Sequence, residues 1–323
     1  MQVFKGQGEK AVEARGEKRQ VGPNDVLVKV VACGLCFTDI HTLAKGCVLG
    51  HEPVGTVEEI GSDVKTVKKG DVVGWGFVHE TCEVCQMQVC PNRKAYGTHD
   101  TDQGGFGEFY VANEKSLSKV PSSLSACEAA PLFCAGATVF SAILQNGVKP
   151  TDRVGVIGVG GLGHLAVQYL NKWGCHVTTL STSDSKKKEA LQLGSHQHVI
   201  TKVPEGQSIQ VGEKLNHIFS TVDGALPWDQ YLSILKPGGK LVIMGAGSKE
   251  FKFNPLLMIK DQLSIVGSFV ASKRIQDQAL EFAARHGIKP WIEVLPLNED
   301  NLNNAIERLK KGDVHYRFVL SRE

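Results

Sequence analysis

Residues 158–163 read Gly158-Val159-Gly160-Gly161-Leu162-Gly163, and no other stretch of the 323-residue chain restricts its fold so sharply. A G-x-G-x-x-G run alone is weak, because glycine-rich turns are common. Here the preceding residues, Arg153-Val154-Gly155-Val156-Ile157, read as a buried strand, and residues 164–173 follow with a helical period closed by Gly174. A strand, a glycine turn and a helix in that order form the phosphate-cradling corner of a dinucleotide-binding unit. Gly158 permits the tight turn, Gly160 lets backbone approach a pyrophosphate, and Gly163 lets helix and strand pack closely, with Gly161 and Leu162 completing the loop. The helix start presents free N–H groups and a partial positive charge to the phosphates.

The same rhythm continues. Residues 176–180 read as a strand, 185–193 as a helix closed by Gly194, and 218–222, 240–244 and 264–266 as further strands. Strands alternating with helices imply a parallel, doubly wound sheet. The chain before residue 140 differs: strand-like runs at 26–31, 54–60, 72–75 and 109–111 are punctuated by glycines. After residue 270 come a helix at 276–284 and a strand–helix–strand tail.

Composition narrows the class. Hydrophobic residues make up 42% of the chain, enough for more than one core. The net charge of +2, with only Lys186-Lys187-Lys188 as a like-charge run, gives no surface suited to nucleic acid. No apolar stretch reaches the roughly 20 residues of a membrane span, and the N-terminal residues are too polar for a signal peptide. Nine cysteines without such a signal point to a reducing, cytoplasmic setting, where they serve as thiols or metal ligands.

The cofactor can be narrowed from the second strand of the glycine-loop unit. An NAD site places Asp or Glu at that strand's end to bond the ribose 2′-OH. This chain has Ser181 there, followed by Thr182, Ser183 and Lys186. Hydroxyls and an ammonium suit a 2′-phosphate, so NADP is favoured over NAD. Asp184 is expected to cap the lysine-bearing helix.

Two further segments carry metal-ligand chemistry: Cys33-Gly34-Leu35-Cys36-Phe37-Thr38-Asp39-Ile40-His41, and Gly50-His51-Glu52-Pro53-Val54-Gly55 nine residues on. By themselves they leave a cysteine redox pair and a structural histidine open. Together with Gly61, Val64, the run Gly104 to Phe109 and the segment from Ala130 to Val139, they match a Gly-His-Glu-x2-Gly-x5-Gly-x2-Val pattern in its usual surroundings. The chain resembles the zinc-dependent alcohol dehydrogenases of the medium-chain dehydrogenase/reductase superfamily, and most closely their cinnamyl-alcohol-dehydrogenase-like, NADP-preferring branch.

That resemblance implies an α/β protein: a GroES-like, β-rich catalytic domain (residues 1–143, completed by 271–323) around a doubly wound Rossmann domain (residues 144–270). It implies a catalytic zinc on Cys36, His51 and Cys134, with Thr38 and His41 passing the proton and Asp39 and Glu52 supporting the ligands. Thr138 is expected near the cofactor. The activity implied is hydride transfer between NADP(H) and a primary alcohol or aldehyde, in a homodimer. Two alternatives stand beside it: a zinc-free quinone or enone reductase of the same superfamily, and a non-catalytic NADP-binding paralogue. Phe37 departs from the family, which often has His or Gly there, and the linker from His41 to Gly50 is short.

The family also holds a structural zinc with spacing C-x2-C-x2-C-x7-C. Cys82 and Cys85 match its first two ligands and Cys90, before Pro91-Asn92, its fourth, while the third falls at Gln88 or in a deletion of about six residues. Three readings stay open: the site is lost, zinc binds through three cysteines with His79 or water, or the thiols serve another purpose such as redox pairing.

Overall fold

The computed structural model of the chain describes residues 1–82, 89–245 and 250–323. It divides into two compact units, Met1–Ala137 with Val270–Glu323, and Thr138–Phe269.

The second unit is built on six parallel strands in the order Gln197–Ile200, His176–Ser181, Arg153–Ile157, Leu215–Ser220, Leu235–Ile243 and Ser264–Gly267. In chain order this is 3-2-1-4-5-6, the order of a doubly wound dinucleotide-binding sheet. The order reverses between Arg153–Ile157 and Leu215–Ser220, where the glycine loop leaves the sheet. Gly158 has φ +84°, a left-handed conformation that costs a residue with Cβ. A Cβ on Gly163 would come within 1.9 Å of the Gly158 carbonyl oxygen, whereas one on Gly160 would meet nothing within 4 Å. The loop is thus closed where helix meets strand and open where a pyrophosphate would approach. Thr221 fixes its base, donating to the carbonyls of Ile157 (2.9 Å) and Gly158 (3.1 Å). The strand expected at 218–222 lies earlier, at Leu215–Ser220, because buried His217 breaks the apolar run that marks a strand in sequence.

The first unit contains a sheet ordered Ile292–Pro296, Arg317–Ser321, Asp25–Leu35, Pro53–Ile60, Val72–Gly74 and Ser118–Lys119, with Phe109–Asn113 also pairing onto Asp25–Leu35. The C-terminal strand is buried along its whole length and runs antiparallel to Asp25–Leu35, with Phe318 opposite Leu35 and Leu320 opposite Cys33. The two ends of the chain therefore share one core, in which Phe4, Leu35, Phe106 and Phe318 pack with Leu302 and Ile306 of the helix Glu299–Lys311. Burying each such side chain contributes about 1.5–3 kcal/mol. An N-terminal hairpin, Gln2–Gln7 with Lys10–Arg15, joins this unit without having been expected from sequence. No single helix among the described residues is long and apolar enough to cross a membrane.

Candidate active site

Register in the first unit assembles the metal-ligating side chains. Cys33 pairs with Pro53 across the ladder of Asp25–Leu35 and Pro53–Ile60. The first strand therefore ends at Cys36 beside the point where the second arrives through Gly50, His51 and Glu52. Cys134 follows the tight 3-10 turn Ala130–Phe133. Ligand atoms of Cys36, His51, Glu52 and Cys134 all lie within 4.8 Å of one another, the one such group among the described residues.

Of these four donors, Glu52 is already engaged. Nη2 of Arg317 donates to both its carboxylate oxygens, and both side chains are buried. That leaves two sulfurs and an imidazole. His51 is 2% exposed. Its Nδ1 lies 2.9 Å from Asp39 Oδ1, and its Nε2 has no hydrogen-bond partner. A carboxylate can only accept, so Nδ1–H donates, and in the neutral ring, the form a metal binds, Nε2 keeps its lone pair. A buried polar atom left unpaired costs about 1–3 kcal/mol. A metal cation accepting that lone pair removes the cost, so the residues fit one. Two thiolates and one neutral imidazole suit zinc, cancel its charge, and leave a fourth position open. Hydrogen bonding from Cys134 holds the Cys36 thiol well below its ordinary value, while Cys134, carrying the proton, is pushed up.

Asp39 is the hub of the surrounding bonds. It sits in the first turn of the helix Phe37–Thr42, where Oδ2 accepts from Cys36 N (3.0 Å) and Oδ1 from Gly50 N (3.1 Å). Tyr96, which sequence reasoning did not single out, places its hydroxyl 3.1 Å from both Gly50 N and Thr42 Oγ1. Thr38 Oγ1 lies 3.9 Å from Cys36 Sγ and is half-buried, and His41, one turn further along, is exposed. Phe37 is 50% exposed. Arg317 was also missed. The available signal was a charged residue heading an otherwise apolar strand, Arg317-Phe318-Val319-Leu320, a place where burial demands a partner.

In the second unit, Gly158, Gly160, Gly161, Leu162 and Gly163 turn into the helix Gly163–Trp173, whose start lacks a side-chain cap. Its free N–H groups suit a pyrophosphate. Ser181, Thr182 and Ser183 lead away from the second strand, and Lys186 Nζ donates to the Val159 carbonyl (3.0 Å), tying that loop to the glycine loop. Thr138 is buried on the helix Ala135–Gln145. The expected cap from Asp184 is absent. The helix Lys187–Gln192 starts from Lys186 without a side-chain cap, and the Asp184 carboxylate instead lies 3.7 Å from Lys187 Nζ.

Around the structural-zinc segment, Cys85 and Gln88 lie outside the described residues. Cys90 is buried and accepts from Cys82 N at 3.4 Å. His79 Nε2 lies 3.3 Å from Asp100 Oδ2 without a hydrogen bond.

The chain matches the alcohol dehydrogenase GroES-like domain family over residues 22–122 and the zinc-binding dehydrogenase family over residues 161–285. A probable cinnamyl alcohol dehydrogenase of Populus deltoides is 39% identical, covering 94% of this chain and 89% of that protein. Among solved structures, a cinnamyl alcohol dehydrogenase from Sorghum bicolor superposes with TM-score 0.91 at 32% identity, over 99% of this chain and 97% of its own. The Helicobacter pylori enzyme described as CAD complexed with NADP(H) gives 0.86 at 26%, with 99% and 97% covered. Neither the zinc-free reductase nor the non-catalytic reading is favoured by these relatives. The chain belongs to the cinnamyl-alcohol-dehydrogenase-like branch of the zinc-dependent medium-chain alcohol dehydrogenases, and is an alcohol/aldehyde oxidoreductase.

Proposed function

We propose that this enzyme interconverts a primary alcohol and its aldehyde with NADP(H), with zinc held by Cys36, His51 and Cys134. The observation that carries the reading is the buried, unpartnered Nε2 of His51 among two cysteine sulfurs. When bound, zinc supplies an electrophile that acidifies an alcohol and polarises a carbonyl. The chain does the rest. Asp39 holds the His51 tautomer. Thr38 takes the substrate's proton and passes it outward to exposed His41, a role supported by the 3.9 Å between Thr38 Oγ1 and Cys36 Sγ. Arg317 keeps Glu52 compensated behind the ligands. The glycine loop seats the pyrophosphate, and Ser181, Thr182, Ser183 and Lys186 receive the 2′-phosphate. The NADP(H) in the Helicobacter pylori relative supports that choice. The open outer strand Ser264–Gly267 supports a homodimer paired through the Rossmann sheets, in a cytoplasmic setting.

Zinc analysis of the purified enzyme, with aldehyde-dependent loss of NADPH absorbance, tests the proposal. Activity should disappear in Cys36→Ser, and Ser181→Asp should move preference toward NADH. Aldehyde reduction that survives loss of Cys36 would overturn the ligand assignment.

A further inference from the structure

The loop that would receive the 2′-phosphate contains no group strong enough to organise itself. Ser181 and Ser183 are neutral, and Thr182 and Ser183 are exposed. Neutral hydroxyls recognise a phosphate only when already in place, since ordering each side chain on binding costs roughly 0.5–1.5 kcal/mol. Something outside the loop must set its path.

The neighbouring third strand, Gln197–Ile200, holds it at two points. Just past that strand, Thr201 N donates to the Ser181 carbonyl at 2.7 Å, assisted by Thr201 Oγ1 at 3.2 Å. The second point is His198. Its Nε2 lies 3.1 Å from the Ser183 carbonyl oxygen and its Nδ1 2.8 Å from Thr179 Oγ1. A carbonyl cannot donate, so Nε2–H must, and Nδ1 then accepts from the Thr179 hydroxyl. The ring is a strut between the second strand and the loop tip. With its carbonyl fixed, Ser183 turns its N–H to Ser181 Oγ (3.3 Å) and its hydroxyl to Ser185 Oγ (2.8 Å). The loop then runs on to Lys186, whose ammonium is anchored to Val159 O.

Resting on the NADP reading above, we propose that His198 is a positioning residue for cofactor specificity: it holds the Ser181–Ser185 loop in the shape that binds a 2′-phosphorylated adenosine. It acts through the Ser183 main chain and touches neither substrate nor reacting atoms. A merely structural histidine would support both nicotinamide cofactors alike. The inference therefore concerns a ratio.

The test is equilibrium binding, read by titration calorimetry, of NADPH and NADH and of the fragments adenosine 2′,5′-bisphosphate and 5′-AMP. The wild-type enzyme is compared with His198→Leu and His198→Gln. Loss of the strut should weaken NADPH and the bisphosphate about tenfold, near the scale of one hydrogen bond, and leave NADH and AMP within twofold. Gln, which retains a donor, should restore most of the loss. If the leucine variant does not fold, His198→Asn, polar but too short to reach Ser183, gives the same reading. Equal weakening of both cofactors, or an unchanged NADPH constant, overturns the inference alone. A wild-type enzyme that binds NADH as tightly as NADPH overturns the cofactor reading and the inference with it.

Discussion

Replacing Asp39 by Asn probes how the buried hydrogen bonds hold the metal ligands. The side chain keeps its shape but exchanges one acceptor oxygen for an NH2 donor. In the native protein both oxygens accept: Oδ1 from His51 Nδ1 and Gly50 N, Oδ2 from Cys36 N. Asn can satisfy only one side. With its oxygen toward His51 and Gly50, its NH2 faces the Cys36 N–H, donor against donor, at a position with 0% exposure. Turned the other way, it confronts His51 Nδ1–H and drives the proton to Nε2, abolishing the lone pair a metal needs. The first arrangement forfeits one charge-assisted hydrogen bond and leaves a buried donor unpaired, about 1.5–3 kcal/mol. The second costs ligation itself, and the protein adopts the cheaper.

Zinc affinity should then fall roughly 10–100-fold, the range for altering a residue that supports metal ligands, because a neutral amide backs His51 more weakly than a carboxylate and Cys36 N loses its acceptor. Competition with a chromophoric chelator measures it directly. The melting temperature of the chelated apoprotein separates the purely structural part. Zinc binding within threefold of wild type would show that the Asp39 carboxylate does not support the ligands, and the reasoning would fail.

Three other outcomes follow from the same structure. Arg317→Met, by stranding buried Glu52, should destabilise the fold by about 3–5 kcal/mol, and adding Glu52→Gln should recover most of it; denaturant melts that show additive losses instead would refute the pairing. Glu114 accepts three 2.8 Å hydrogen bonds, from Lys65 N, Thr66 N and Thr66 Oγ1, and the two backbone N–H groups, foremost, hold its carboxyl below the ordinary 4.5. A lowered folded value stabilises above the unfolded one and is lost as pH falls through it, so Glu114→Gln should cost about 1–2 kcal/mol at pH 7, with the gap to wild type narrowing in melts below pH 4. Elemental analysis should find about one zinc per chain, retained in Cys85→Ser and lost in Cys134→Ser, because Gln88 is a poor fourth donor beside thiolates.

What the sequence disclosed was local. The glycine loop was legible because its constraint lies within six residues: a left-handed turn at Gly158 and a close approach at Gly163 that exclude other side chains. The parallel sheet followed from five strands with local signals of their own, whereas its sixth, the edge strand Gln197–Ile200, went unread. Residues whose partners are distant stayed hidden. Arg317 reaches Glu52 across 265 positions, and nothing in either neighbourhood names the other. Tyr96 reads as an ordinary core aromatic until its hydroxyl is seen at Gly50 N. His198 makes its contacts across adjacent strands, a register that single-sequence periodicity does not supply. Asp184 misled for the opposite reason: a local rule favoured it as a cap, but the helix begins two residues later than that role allows.

The position of Tyr96 links the strands flanking the cysteine-bearing segment to the proposed zinc ligands. The base of that segment is the antiparallel pair Val78–Glu80 with Lys94–Ala95. Nearby, Asp100 accepts from Tyr110 OH (2.9 Å) and from Arg19, which also binds Asp102, and His79 Nε2 lies 3.3 Å from the same carboxylate. Arg19 is partly exposed, so its pairs hold less than buried ones would. The Tyr110 hydroxyl contact lies deeper, where solvent competes less for the bond. Tyr96 follows directly after Ala95, and from that base its hydroxyl meets Gly50 N, one residue before the metal-facing His51. The main chain at Gly50 and His51 is thus tied, through Tyr96, to the strand Lys94–Ala95.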